Sequence, residues 1–327
     1  MLKKMAFTCL LAIMLIFIVT DLATACTIFT VSSNSSVLFG NNEDYSNPNT
    51  YYWVENSQEG RYGGVYFGFD NFWPQGGINE KGLAFDINSL DEIPLNPHPE
   101  LPSFNDYEGY SILRNCASVE EAIDYVQEFN WGSAMWGQIH VADATGEAVV
   151  IGPGIDGELS FTRKPAGDGF LVSTNFNLAD AAEQEYGCWR YDIATEMLKR
   201  VGNEEQLSVN YVTEVLNAAH IEGAYSNTLY STVYDLKNGK IFIYYFHQFD
   251  EVVELNVTDE ILSNKGPVLL SSLFSPATVE RASLEQSRYL FRHRLGWALG
   301  ILGIISALVV VVFLFRLRRK RRARKAV

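Results

Sequence analysis

The chain has 327 residues, 47% of them hydrophobic, and carries 25 basic against 39 acidic side chains for a formal net charge of −14. That balance argues against nucleic acid and anionic lipid as direct partners of the bulk of the chain, since like charge repels. The length suffices for one domain with a sizeable core and for further segments besides.

Lys3 and Lys4 precede an apolar run from Met5 to Val19, and Ala23-Thr24-Ala25 places small side chains at alternate positions. This pattern predicts a secretory signal peptide over residues 1–25, removed after Ala25 so that Cys26 becomes the N-terminus. An uncleaved N-terminal anchor is the alternative, but the run is short of the ~20 residues of a membrane helix and Asp21 interrupts its end. CTIFTVS, SVLFGNN and GGVYFGFD follow as strands, rich in β-branched and aromatic residues and bounded by Gly, Asn or Ser. A Pro-rich surface loop spans Ile93 to Ser103. From Ser118 a Ser cap, a Glu three residues on and an apolar face of Ala122, Ile123, Val126 and Phe129 predict a helix.

Strands return in QIHVADA, EAVVIG and GFLVSTN, then come helical stretches at Trp189 to Val201 and Val209 to Ala219. NTLYSTVYDL, KIFIYYFH and EVVELNV close the domain as strands, with an Asn-Gly turn at Lys237 to Lys240. Strands, then helices, then strands again predict an α+β domain over residues 26–260. Residues 261–295 read as a juxtamembrane stalk, and 296–315 as an uncharged transmembrane helix of one bilayer crossing. The tail 316–327 holds eight Lys or Arg and no acid, which places it in the cytoplasm and the domain outside the cell membrane. NSS at Asn34 and NVT at Asn256 are glycosylation sequons.

Setting aside Lys3, Lys4, Asp21 and the eight tail cations leaves an external part with 15 basic and 38 acidic residues, whose simplest meaning is solubility. Past the leader three cysteines remain: Cys26, Cys116 and Cys188. An odd count leaves at least one unpaired, and a Cys116–Cys188 disulfide is compatible with that parity. His98, His140, His220, His247 and His293 stand singly, and no HExxH, CxxC, P-loop or GxSxG occurs. The sequence therefore signals no metal, no cofactor and no histidine-based triad.

An N-terminal cysteine needs no histidine. Its thiol and its α-amine have ordinary pKa values of ~8.5 and ~8, so the amine can take the thiol proton and later protonate a leaving amine. Such a centre also needs a carboxylate to orient it and amide donors for an oxyanion. FGNNEDY offers Asp44, GGINEKGLAFDINSL offers Asn88, and STNFN offers Asn175, although each also suits ordinary turn chemistry.

Taken together, CTIF at a new N-terminus, G-x-N-x-D in GNNED, NEKGLA, a strand ending in TN and the later CWRYDIA resemble the choloylglycine hydrolases. These sit with penicillin V acylases, acid-ceramidase-like amidases and acyl-CoA:isopenicillin N acyltransferase among the N-terminal-nucleophile hydrolases. The resemblance spans Cys26 to Leu255 and implies a four-layer αββα sandwich. It further implies Cys26 as nucleophile, Asp44 as the carboxylate holding the amine and thiol, Asn175 as side-chain oxyanion donor, and Arg190 as the arginine beside the centre. Asn88 lies near the second oxyanion position, with Ser89 or a backbone N–H as alternatives. Bile-salt hydrolases have Arg where this chain has Asn41, so their substrate preference does not carry over.

The implied activity is hydrolysis of a linear amide of a small N-acyl compound, such as an N-acyl amino acid or similar lipid-like amide, through a cysteinyl thioester and without a cofactor. The aromatic stretches YYW and FGFDNFW are candidates for an acyl pocket, or simply core. Three other readings stand beside it: acyl transfer to an amine, a lipoprotein acylated on Cys26 through the lipobox-like ATAC, and a catalytically silent surface binding protein.

Overall fold

The structure, a computed structural model, describes residues 26–33, 35–167, 169–180, 187–201, 207–223 and 226–323. The expected signal peptide, the sequon at Asn34 and the end of the basic tail lie outside the described residues.

β1 (Thr27–Ser32) and β2 (Val37–Tyr45) form the first hairpin. At its turn the Ser33 N–H donates to Ser36 O at 2.8 Å, and the register sets Thr27 opposite Asn42 and Ser32 opposite Val37. Side chains alternate across such a pair. Ile28 and Phe39 enter the space between two sheets, whereas Phe29 and Leu38 face a helical layer.

β3 (Thr50–Glu55), β4 (Gly64–Phe69), β5 (Pro74–Asn79) and β6 (Ala84–Pro94) run as an antiparallel meander. After α1 (Glu108–Asn115) and α2 (Val119–Val126), the same sheet continues with β7 (Ala134–Ala142), β8 (Ala148–Pro153) and β9 (Leu159–Lys164). β10 (Gly169–Ser173) crosses over to pair with β1. α3 (Trp189–Leu198) and α4 (Val209–Ala218) follow, then β11 (Asn227–Asp235), β12 (Lys240–Tyr245) and β13 (Gln248–Asn256). α5 (Val257–Ser263) leads to β14 (Val268–Leu269), which pairs with β3.

The result is a six-stranded sheet, β10-β1-β2-β11-β12-β13, and an eight-stranded sheet, β14-β3-β4-β5-β6-β7-β8-β9. Three apolar clusters stack the layers. Ile28, Phe39, Phe67 and Tyr234 pack the sheets together; Phe85, Ile112 and Val126 join α1 and α2 to the larger sheet; Phe29, Leu198 and Val215 join α3 and α4 to the smaller. This is the expected four-layer αββα sandwich. His140 of β7 clasps the sheets from within, bonded to Thr30 Oγ1 at 3.0 Å and Ser173 Oγ at 2.9 Å. Burial pushes its pKa down to about 3, so it stays neutral. Ser118 caps α2 by accepting the Glu121 N–H, as its spacing predicts.

Of the aromatic stretches, Tyr52, Trp53, Phe67 and Phe69 are core, the simpler of the two readings, while Phe72 and Trp73 stay exposed. Two details differ from the sequence reading. Cys116 and Cys188 are free thiols in different apolar clusters, so the disulfide compatible with the cysteine count does not form. The compact unit does not end at 260 but runs to Ser283, because Val268 and Leu269 pair with Tyr52 and Tyr51 and because Leu270, Phe274 and Ala282 are buried. From Leu284 the chain forms a second unit within α6 (Pro276–Ala323), of which Pro276–Leu314 is long and apolar enough to cross a membrane.

Candidate active site

Cys26 stands immediately before β1, only 6% exposed. Continuing the hairpin register one step beyond Thr27 and Asn42 sets Cys26 opposite Glu43. By the alternation of the strands both side chains point between the sheets, and Cys26 Sγ donates to Glu43 Oε1 at 3.7 Å. Asp86 and Asn88, alternate residues of β6, come from the facing sheet: the Asn88 Nδ2 donates to the Cys26 carbonyl at 3.2 Å.

The opposite face of β2 carries Asn42 and Asp44 toward the helical layer. Asn42 donates to Leu216 O of α4 at 2.9 Å and accepts from Ser231 Oγ at 2.6 Å, which locks the strand in place. Asp44 accepts from the Thr228 hydroxyl and lies 3.8 Å from the Arg190 guanidinium. Arg190, in the first turn of α3, donates to the Cys26 carbonyl at 2.8 Å, to Thr27 Oγ1 at 3.1 Å and to Asn175 Oδ1 at 3.2 Å. One buried cation thus spans the carboxylate, the backbone of Cys26 and the asparagine loop.

Asn175 sits just past the end of β10. The facing sheet holds that loop: Gln138 Nε2 donates to Thr174 O at 2.7 Å and Phe176 O at 2.8 Å, and Gln138 Oε1 accepts the Leu178 N–H at 3.0 Å. Asn175 Nδ2 donates to Ser89 O at 2.9 Å. All five residues singled out from the sequence (Cys26, Asp44, Asn88, Asn175 and Arg190) are therefore brought together by these bonds. In this arrangement both asparagine amides are spent on backbone carbonyls, so either would have to exchange that bond to stabilise an oxyanion.

Glu43 and Asp86 were not singled out from the sequence. Glu43 lies inside the quoted FGNNEDY, and the signal that finds it is the hairpin register rather than any motif. Burial pushes Cys26's thiol up, and Glu43, Asp44 and Asp86 add to the shift against a bond from the Asp44 N–H. A thiol in this setting rests protonated and needs a base. Burial likewise raises Asp44, against Arg190 and Thr228, and raises Asp86, with Glu43 adding to it.

Burial pushes Glu43 up to about 8, opposed by its contacts with Cys26, Asn41 and Tyr230. The unfolded chain releases that proton near 4.5, so the folded state is favoured at low pH and this contribution declines as pH rises from about 4.5 toward 8. Glu43→Gln, neutral throughout, is expected to flatten the fall in thermal midpoint between about pH 5 and pH 8. Scanning calorimetry of both proteins across that window checks this; parallel curves would mean that Glu43 does not hold the proton.

No family model matches the chain, and no curated protein matches it. Among solved structures, the fold is similar to penicillin V acylase from Agrobacterium tumefaciens, at TM-score 0.57 and 17% identity over 74% of this chain and 89% of that one. Two variants of conjugated bile acid hydrolase from Clostridium perfringens are similar at TM-scores of 0.56 and 0.57 and 16% identity. They align over 74% of this chain and 96% and 95% of theirs.

Proposed function

We propose that this chain, which shares its fold with penicillin V acylase and conjugated bile acid hydrolase, is a hydrolase of linear amides with Cys26 as its N-terminal nucleophile. The observation that carries this reading is the convergence on Cys26 of Arg190, Asn88, Glu43 and the Asp44 N–H.

Once the leader is removed, the α-amine of Cys26 is the base nearest the thiol. It accepts the thiol proton, Sγ attacks the amide carbon, and the ammonium returns the proton to the leaving nitrogen. Water then attacks the thioester by the same route in reverse, releasing the acid and restoring the thiol. Asp44 holds the ammonium while Arg190 fixes Asp44 and the Cys26 carbonyl. Asn175 and Asn88 supply amide N–H to the oxyanion as each tetrahedral species forms.

The substrate is a small N-acyl compound. Glu43 and Asp86 beside the thiol, both shifted toward their protonated forms by burial, favour a neutral polar group at that position, because the same burial penalises a charge there. The uncharged segment 296–315, within the long C-terminal helix, anchors the enzyme in the cell membrane, with the basic tail on the cytoplasmic side and the site outside. The anchor keeps the site near amphiphilic substrates. A panel of neutral and anionic N-acyl amides, incubated with the membrane-purified protein and hydroxylamine, tests the reading. Expected is release of free amine together with an acyl hydroxamate from the trapped thioester; amine release without hydroxamate would contradict a covalent intermediate.

A further inference from the structure

We propose that His220, Glu222 and His247 form a binding site for a divalent transition metal, with Zn2+ as the fitting ion, behind the Asp44 side of the smaller sheet. The sequence keeps these residues apart, and the fold closes the distance: one ligand atom from each lies within 4.8 Å of those of the other two. His220 follows α4, and its Nδ1 faces the Asn217 carbonyl of the last helical turn. His247 is in the β12–β13 turn, and its Nδ1 faces the Thr228 carbonyl at 3.3 Å. The rings stack with centroids 4.9 Å apart.

Each imidazole thus donates Nδ1–H to a backbone carbonyl, which makes Nε2 the nitrogen that each ring offers to a metal. This is the outer-shell arrangement that orients metal-ligating histidines. In that tautomer His220 Nε2 turns a lone pair on Glu222 Oε1 only 3.0 Å away, and two lone pairs at that distance need a proton or a cation between them. Two imidazoles and one carboxylate suit Zn2+ better than Ca2+ or Mg2+, which take all-oxygen sites. Tetrahedral Zn2+ with bonds of ~2.0–2.1 Å sets its ligands about 3.3 Å apart, within a small side-chain rotation of this cluster. The Glu222 side chain is 48% exposed, which leaves the fourth position to solvent.

The turn that presents His247 is costly in itself. Phe246 and His247 both have left-handed backbone, with φ of 50° and 47°, where Asn-Gly is the usual pair. Burial of Phe246 in the inter-sheet cluster offsets that strain and leaves His247 against His220. Thr228 connects the cluster to the candidate active site, its carbonyl on His247 and its hydroxyl on Asp44. A bound ion would pin the strained turn and the strand next to Asp44.

This assignment does not depend on the amidase reading. The full chain, purified in detergent and carrying Cys26→Ala to remove that thiol as a competing ligand, is stripped with a chelator and titrated with ZnCl2 against a chromophoric chelator. One equivalent is expected to bind, Co2+ is expected to give the strong visible bands of a four-coordinate site, and Ca2+ is expected not to compete. His220→Ala and His247→Ala should each weaken Zn2+ at least about 100-fold, and the half-exposed Glu222→Gln about 10-fold. The glutamine variant keeps the test open if a histidine variant fails to fold. Absence of a stoichiometric site, or Zn2+ affinity unchanged in Glu222→Gln and in whichever histidine variant folds, would overturn the proposal.

Discussion

Cys26→Ala is expected to lower amide hydrolysis by at least about 10³-fold while the fold persists. The thiol makes one side-chain bond, to Glu43 at 3.7 Å, so its loss removes little packing or hydrogen bonding. Deleting one buried sulfur costs on the order of 1 kcal/mol, or ~2–4 °C in a domain of this size. Catalysis is different, because the proposed covalent step is made by the Cys26 thiol itself. Cys26→Ser is expected to lower turnover as well, though less than Cys26→Ala: a hydroxyl is far less acidic and less nucleophilic than a thiol, while the α-amine can still act as its base. Turnover of the substrate identified in the amide panel, measured beside a melting curve, checks both halves. Activity of Cys26→Ala within tenfold of the parent would remove Cys26 from the mechanism.

Arg190→Ala is expected to have the largest effect on stability. Its guanidinium lies under the surface at 5% exposure and binds the Cys26 carbonyl, Thr27 Oγ1 and Asn175 Oδ1 beside Asp44. Removing one partner of a buried ion pair leaves the other charge uncompensated, at a cost of about 3–5 kcal/mol. That corresponds to a fall of roughly 10 °C in thermal midpoint, with activity lost as the Asn175 loop and Cys26 backbone shift. Arg190→Lys keeps the charge but loses the fork that reaches three acceptors at once. It is expected to recover part of the stability and little of the activity. Melting curves that coincide for parent and Arg190→Ala would show that the guanidinium holds nothing in place. Asp44→Asn in the Arg190→Ala background should return part of the loss, since a buried amide needs no cation beside it, whereas Asp44 must then either take up a proton or stay charged without its partner.

Much of the fold was legible because its signals are local. The hairpin of β1 and β2, the Ser118 cap and the helix at 209 follow from alternation, capping and periodicity in short windows, whereas the helix at 189 has neither a cap bond from Cys188 nor a marked apolar face. The sequence pattern does not single out β3, β5, β6, β9, α1 or α5. EGYSILRN is an eight-residue helix with no cap hydrogen bond from Tyr107, and PQGGIN carries two glycines that weaken any strand signal. β14 is two residues long and exists only because β3 offers an edge.

The site divides in the same way. Cys26, Asp44, Asn175 and Arg190 were found because they recur in a recognisable order along the chain. Glu43 and Asp86 required knowing which face of each strand looks inward, and Thr228 required the pairing of β11 with β2, a contact across 184 residues. The histidines at 220 and 247 read as isolated in the sequence, and only a hairpin turn brings them together.

Intact mass measurement of the N-terminus in membrane-purified protein tests most directly whether the mature chain begins with a free Cys26. A chain starting at unmodified Cys26 is the expected result, with thiol and α-amine both available to the chemistry. An intact leader, or a Cys26 carrying an acyl group, would leave no free amine to act as base and would contradict the mechanism.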